Sequence, residues 1–191
     1  SHKVTQLPTD LLKAQIDTAI STGIDAIKTG MLASEEIIQI ASDAIQRANT
    51  KHVVIDPVMV CKGDDEVLNP GNTKAMIEHL LPYATVTTPN LFEAGQLAEM
   101  PTPQTVEDVK AVAKEIVARG AKAVVVKGGK KLQHDKAVDV FYNGQDFYLL
   151  ETEKFDTVWN HGAGCTFAAA ITANLANGLS INDAVFAAKE F

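Results

Sequence analysis

The chain has 191 residues, 46% of them apolar and 21% charged, and carries a formal net charge of -7. That composition suits a globular chain able to bury one sizeable core, and the negative balance argues against a nucleic-acid groove. No apolar run reaches the roughly 18 residues of a membrane helix. Cys61 and Cys165 lie far apart without a C-x-x-C spacing, which argues against a disulfide framework or zinc site and suits a reducing, cytoplasmic setting.

Helical and strand patterns alternate along the sequence. Pro8 to Ser21 reads as a helix with Leu11, Leu12, Ile16, Ala19 and Ile20 on one face. Asp25 to Lys28 is a short strand. Ser34 caps a second helix running to about Ala48, with Glu35 and Glu36 in its first turn. His52 to Asp56 is a strand stopped by Pro57, Asn72 to Leu81 a helix, and Ala84 to Thr87 a strand before Pro89-Asn90 opens another helix. Thr105 to Arg119 is helical and ends at Gly120. Ala123 to Lys127 is a strand entering Gly128-Gly129, and two further strands, Ala137 to Tyr142 and Phe147 to Glu151, form a hairpin around Asn143-Gly144. Helices over Ala163 to Ala176 and Ile181 to Phe191 complete the pattern.

Short, β-branched strands alternating with helices predict an α/β fold with a mostly parallel sheet covered on both faces. Ligands of such sheets bind at the carboxyl ends of the strands. Lys28-Thr29-Gly30-Met31, Asp56-Pro57, Thr88-Pro89-Asn90 and Lys127-Gly128-Gly129 all fall there. The chain opens on a loop and helix and stops inside an amphipathic helix, so a leading strand–loop–helix unit and a closing helix are expected outside it.

The densest chemistry is in Asn160-His161-Gly162-Ala163-Gly164-Cys165-Thr166, directly ahead of a helix-forming run. Glycines there can aim several backbone N–H groups at one point, at the positive end of a helix dipole, which is where an anion such as phosphate binds. A thiol in that position deprotonates more readily than free cysteine. The plainer reading is a tight helix entry. There is no Walker A or G-x-G-x-x-G pattern.

In Thr88-Pro89-Asn90-Leu91-Phe92-Glu93, Asn90 and Glu93 have capping-box spacing. Glu93 would equally lie over the strand ends, where it and Asp56 could hold Mg²⁺, an ion that commonly takes one or two carboxylates plus phosphates. Lys127 follows Val124-Val125-Val126 and precedes two glycines, within reach of a nucleotide phosphate. On local sequence Cys61 reads first as a small residue of a polar loop, and with Lys62 and Gly63 that loop could also close over a substrate. His2, His52, His79 and His134 show no ligand spacing, Lys130 and Lys131 read as solvent-exposed, and Trp159 as a packing residue.

In combination, Lys28-Thr-Gly-Met-Leu, Asp56-Pro-Val-Met-Val, Thr88-Pro-Asn-Leu-Phe-Glu, Val126-Lys-Gly-Gly and His161-Gly-Ala-Gly-Cys-Thr resemble, in order and across essentially the whole chain, the ribokinase-like superfamily. Within it they are similar to the vitamin kinases that phosphorylate hydroxymethylpyrimidine or pyridoxal. The resemblance implies a three-layer α/β/α sandwich with a late β-hairpin, a single domain over residues 1–191, ATP and Mg²⁺, and a homodimer. It implies that Gly162, Ala163, Gly164 and Cys165 offer amides to the transferring phosphoryl group, with Cys165 as base where most relatives carry Asp. Asp56 and Glu93 would serve the metal, Asn90, Lys127 and Gly128 the ATP, and Met31 and Val58 the ring pocket. A cysteine at Cys61, where hydroxymethylpyrimidine kinases usually have Ala, resembles the two-cysteine pyridoxal kinases, and a thiol there can add reversibly to an aldehyde. Lys62 would join it at the substrate. The family's opening segment, a glycine-rich turn with polar residues that grip the ring, is not among these residues, so the choice of substrate rests on Cys61.

Overall fold

Short β-branched segments build the sheet. Strands β1 (Ala26–Thr29), β2 (His52–Ile55), β3 (Val86–Thr87) and β4 (Val124–Gly129) run parallel, and β5 (Ala137–Tyr142) and β6 (Phe147–Thr152) return antiparallel. Their spatial order is their chain order. The computed structural model describes residues 7–59, 70–129, 131–155 and 161–191. The sequence expectations for His2, Cys61, Lys62, Lys130, Trp159 and Asn160 therefore lie outside the described residues.

Helices α2 (Glu35–Ala48) and α3 (Pro70–His79), then the pair α4 (Leu91–Ala98) and α5 (Val106–Ala118), carry the chain from one parallel strand to the next. Helix α1 (Thr9–Ser21) precedes β1, while α6 (Ala163–Ala176) and α7 (Ile181–Glu190) follow the hairpin. Crossovers of one hand between successive neighbours put all their helices on the same face. Side-chain alternation shows it: Val53, Ile55, Val124, Val126, Val138 and Val140 pack with Ile38, Ile45, Leu97 and Ile116. The intervening Val54, Val86, Val125 and Phe141 pack on the opposite face with Ala168, Ile171 and Leu175 of α6 and Ala184 and Val185 of α7. The result is the expected α/β/α sandwich, with α6 and α7 as its third layer.

The predicted elements recur with shifted edges. Strand β1 begins one residue later than its apolar pattern suggested, and β3 keeps only two residues of the expected four. Helix α3 starts earlier and stops at His79, because Pro82 disfavours continued α-helix before it. The chain tightens there into a 3-10 turn over Leu81–Tyr83. The apolar face predicted for α1 is only partly covered. Leu11 is exposed, and no residue of this helix is fully buried. The hairpin turn uses four residues, with the Asn143 side-chain Oδ1 accepting the N–H groups of Gln145 and Asp146.

Helix α6 presents the glycine turn to the sheet's carboxyl edge, and Ile171, fully buried at its centre, anchors it. Ile171→Ala is expected to cost about 2–5 kcal/mol of stability. A urea midpoint equal to that of the parent protein would show that this contact does not hold the helix.

Candidate active site

Because β1 to β4 are parallel, their carboxyl ends form one rim, and backbone hydrogen bonds stitch it together. Asp56 N–H donates to Thr29 O (3.3 Å), Thr88 N–H to Ile55 O (3.0 Å) and Lys127 N–H to Pro89 O (2.8 Å). The last accompanies a bridge pairing Asn90 with Lys127 beyond the end of β3. Val58 N–H donates back to Asp56 O (2.9 Å), so the chain turns sharply after the strand and aims the Asp56 side chain inward. Asp56 is 1% exposed.

The rim's charges converge on one oxygen. Asp56 Oδ1 accepts the Lys127 ammonium at 3.0 Å and the Thr88 hydroxyl at 3.1 Å. Glu93, also buried, stands close enough for Lys127 to stabilise its charge and for Asp56 to oppose it. Burial is the dominant influence and pushes the Glu93 carboxyl above its ordinary range. The backbone N–H of Asn90, Lys127 and, more weakly, the backbone of Met59 pull the other way.

The capping box is real. Glu93 Oε2 accepts Asn90 N–H at 2.8 Å, and Asn90 Oδ1 accepts Glu93 N–H at 2.9 Å. The structural reading of this motif and its place in the polar cluster hold together: the cap fixes the Glu93 rotamer that brings the carboxyl beside Lys127. Among the described residues no group of three or more His, Cys, Asp or Glu could hold a metal by themselves. Two carboxylates beside an ammonium match a hard cation that takes its other ligands from phosphate and water.

Across from this cluster lies the start of α6. Gly162 sits in the left-handed region, at φ +85°, as the helix N-cap, without a side-chain cap. The first helical bond runs from Thr166 N–H to Gly162 O, which leaves the amides of Ala163, Gly164 and Cys165 outside the helical ladder. Gly164 matters for a different reason than Gly162. A Cβ on it would stand 3.0 Å from Lys127 Nζ, so the ammonium lies directly against this turn. Gly128 is constrained far more tightly, since its Cβ would meet the Val138 backbone oxygen at 2.4 Å. Cys165 is exposed at the same helix end.

The structure therefore brings Asp56, Glu93, Asn90, Lys127, Gly128 and the 162–165 turn to one edge of the sheet. Met31 and Val58 follow β1 and β2 on that edge, Met31 exposed and Val58 half-buried. Thr88 was legible only as part of its motif, not as the hydroxyl donor to Asp56. Its signal is a hydroxyl placed directly after a buried strand.

Burial makes ionised Glu93 costly, so its contribution to folding is most favourable below the carboxyl's unfolded value and fades as pH rises through the higher folded one. Gln keeps the acceptor for Asn90 N–H without the charge. The melting temperature of Glu93→Gln, relative to the parent, is expected to rise as pH climbs above the ordinary carboxyl value of about 4.3 and to level off once the pH passes the raised folded value. A difference independent of pH would show that Glu93 ionises without penalty.

A helix terminus open to an anion, facing an ammonium and two buried carboxylates at the rim of a parallel sheet, defines a phosphate-handling α/β enzyme. Comparison with known proteins narrows the class. The phosphomethylpyrimidine kinase family profile matches residues 1–191. A putative pyridoxine kinase of Staphylococcus aureus is 58% identical over 191 residues, spanning 100% of this chain and 69% of that protein. The pyridoxine kinase of Bacillus subtilis is 52% identical over 192 residues, spanning 100% of this chain and 71% of that protein. The solved pyridoxal kinase of Staphylococcus aureus in complex with AMP-PCP superposes with a TM-score of 0.95 at 57% identity, covering 100% of this chain and 69% of that one. The same kinase solved in complex with pyridoxal gives 0.94 at 56% identity, with the same coverage. The chain belongs to the phosphomethylpyrimidine kinase family, and its fold is the ribokinase-like one. No helix among the described residues is long and apolar enough to cross a membrane.

Proposed function

We propose that this chain transfers the γ-phosphoryl group of ATP to the hydroxymethyl oxygen of pyridoxal, giving pyridoxal 5′-phosphate, in one kinase domain. One observation carries the reading most. The Lys127 ammonium, bonded to Asp56, lies against Gly164 where the first amides of α6 are unclaimed by the helix. Relatives of high identity bear the names of pyridoxine and pyridoxal kinases, one of them solved with an ATP analogue and with pyridoxal.

In this reading Gly162, Ala163, Gly164 and Cys165 receive the transferring group. Phosphoryl transfer is accelerated mainly by positioning and charge stabilisation, which amides and an ammonium supply. Cys165, as thiolate, takes the hydroxymethyl proton while the oxygen forms its bond to phosphorus and ADP departs. Asn90, Lys127 and Gly128 hold ATP. Asp56 and Glu93 would hold Mg²⁺, which when bound neutralises charge on the phosphates. Met31 and Val58 flank the ring, with Cys61 and Lys62 also serving the substrate. The working unit we propose is a homodimer in a reducing cytoplasm.

Cys165→Ala is expected to lower kcat by about 10²–10⁴-fold, the usual worth of a positioned base, while nucleotide affinity changes little. An unchanged kcat would locate the base elsewhere. The family profile also favours a second acceptor, hydroxymethylpyrimidine or its phosphate. Steady-state kinetics on both alcohols separates the two. Cys61→Ala should lose pyridoxal turnover far more than pyrimidine turnover, and equal losses would remove the aldehyde argument.

A further inference from the structure

Lys127 has a second aspartate within reach. In the antiparallel pairing of β4 and β5, Lys127 stands opposite Asp139. Directly opposed residues share a sheet face with their Cβ atoms about 4.5–5.5 Å apart. That face is the one covered by α6 and α7, because the neighbours Val125 and Phe141 pack there. Asp139 is 9% exposed. Left alone, its carboxylate would compete with Asp56 for the Lys127 ammonium and draw it across the strand, away from Gly164.

Two contacts prevent that. Lys189 of α7 donates to Asp139 Oδ2 at 2.7 Å, and Gly129 N–H donates to Oδ1 at 3.2 Å. The Gly129 bond falls where the register slips: Lys127 faces Asp139, but Gly129 faces Val138, with Gly128 as the extra residue. A bulge of this kind bends the strand and re-aims its side chains. One carboxylate thus clamps the bulge that ends β4 and is itself neutralised by a lysine from helix α7.

We propose that Asp139 and Lys189 are a positioning pair for nucleotide binding. Lys189 satisfies Asp139 so that Lys127 stays on Asp56 and against the α6 turn, and Asp139 holds the Lys127-Gly128-Gly129 strand end in its bulged form. Neither residue touches the reacting groups; both act through Lys127. The inference rests on the kinase reading in taking the ligand to be a nucleotide.

Calorimetric titration with AMP-PCP tests it. Lys189→Gln, which keeps a hydrogen-bond donor but not the charge, is expected to weaken binding about tenfold. Lys189→Arg should bind as the parent does. Asp139→Asn with Lys189→Gln removes both charges, keeps an acceptor for Gly129 N–H, and should recover most of the affinity even if its melting temperature stays low. Parent-like binding by Lys189→Gln, or a double variant as weak as the single one, would reduce the pair to a helix-docking contact and overturn the proposal. Lysine side-chain ¹⁵N spectra follow the Lys127 ammonium without nucleotide. Its signal should move in Lys189→Gln and return in the double variant, and an unmoved signal also overturns the proposal. Parent protein that fails to bind AMP-PCP would bring down the kinase reading instead, and the spectra would still decide the role of the pair.

Discussion

The site depends on an ion pair between the buried Asp56 and the half-buried Lys127, formed between the ends of two strands that are not neighbours in the sheet. Taking two charges out of water is expensive, and their attraction repays it only when further hydrogen bonds complete the geometry. Here Thr88, directly after the strand between them, donates to the same Asp56 oxygen, and Lys127 N–H is tied to Pro89 O. Removing Lys127 would strand a buried carboxylate, the costlier of the two losses, because the ammonium itself keeps some contact with water. The pair is thus a structural commitment as well as a chemical one. It fixes the ammonium beside the α6 terminus before any ligand arrives, so a phosphate meets an ordered charge.

The remaining features extend this one. The Asn90–Glu93 capping box would be an ordinary helix start elsewhere, but at the rim it orients a buried carboxyl whose protonation responds to the Lys127 charge. Gly164 yields its side chain to the ammonium, and Gly128 yields its own to the neighbouring strand. Each glycine marks a close approach, and both approaches concern the placement of Lys127.

Much of this was readable from residue order. Short β-branched runs ending in Asp-Pro, Thr-Pro-Asn and Lys-Gly-Gly announce parallel strands whose ends meet, because period-2 burial and a common strand direction leave little choice. Other parts were not readable because they depend on distance in space. The glycines of the 162–164 turn look alike in sequence, yet Gly162 serves a left-handed backbone and Gly164 a lysine from another strand. The Asp139–Lys189 contact joins a strand to a helix fifty residues later, with no local pattern to signal it. The apolar stripe on α1 promised burial, but a helix at the periphery of the sandwich covers only part of it.

The strands' chain order has a consequence for biosynthesis. As the polypeptide leaves the ribosome, β1 to β4 can pair one after another, each beside the last, and α2 to α5 can cover one face as they emerge. The acids and the lysine are then assembled, but the amides that complete the cradle arrive with α6, on the opposite side. A nascent chain therefore carries the cation and its counter-charges without a finished pocket for triphosphate, and the machinery is armed only when the third layer docks.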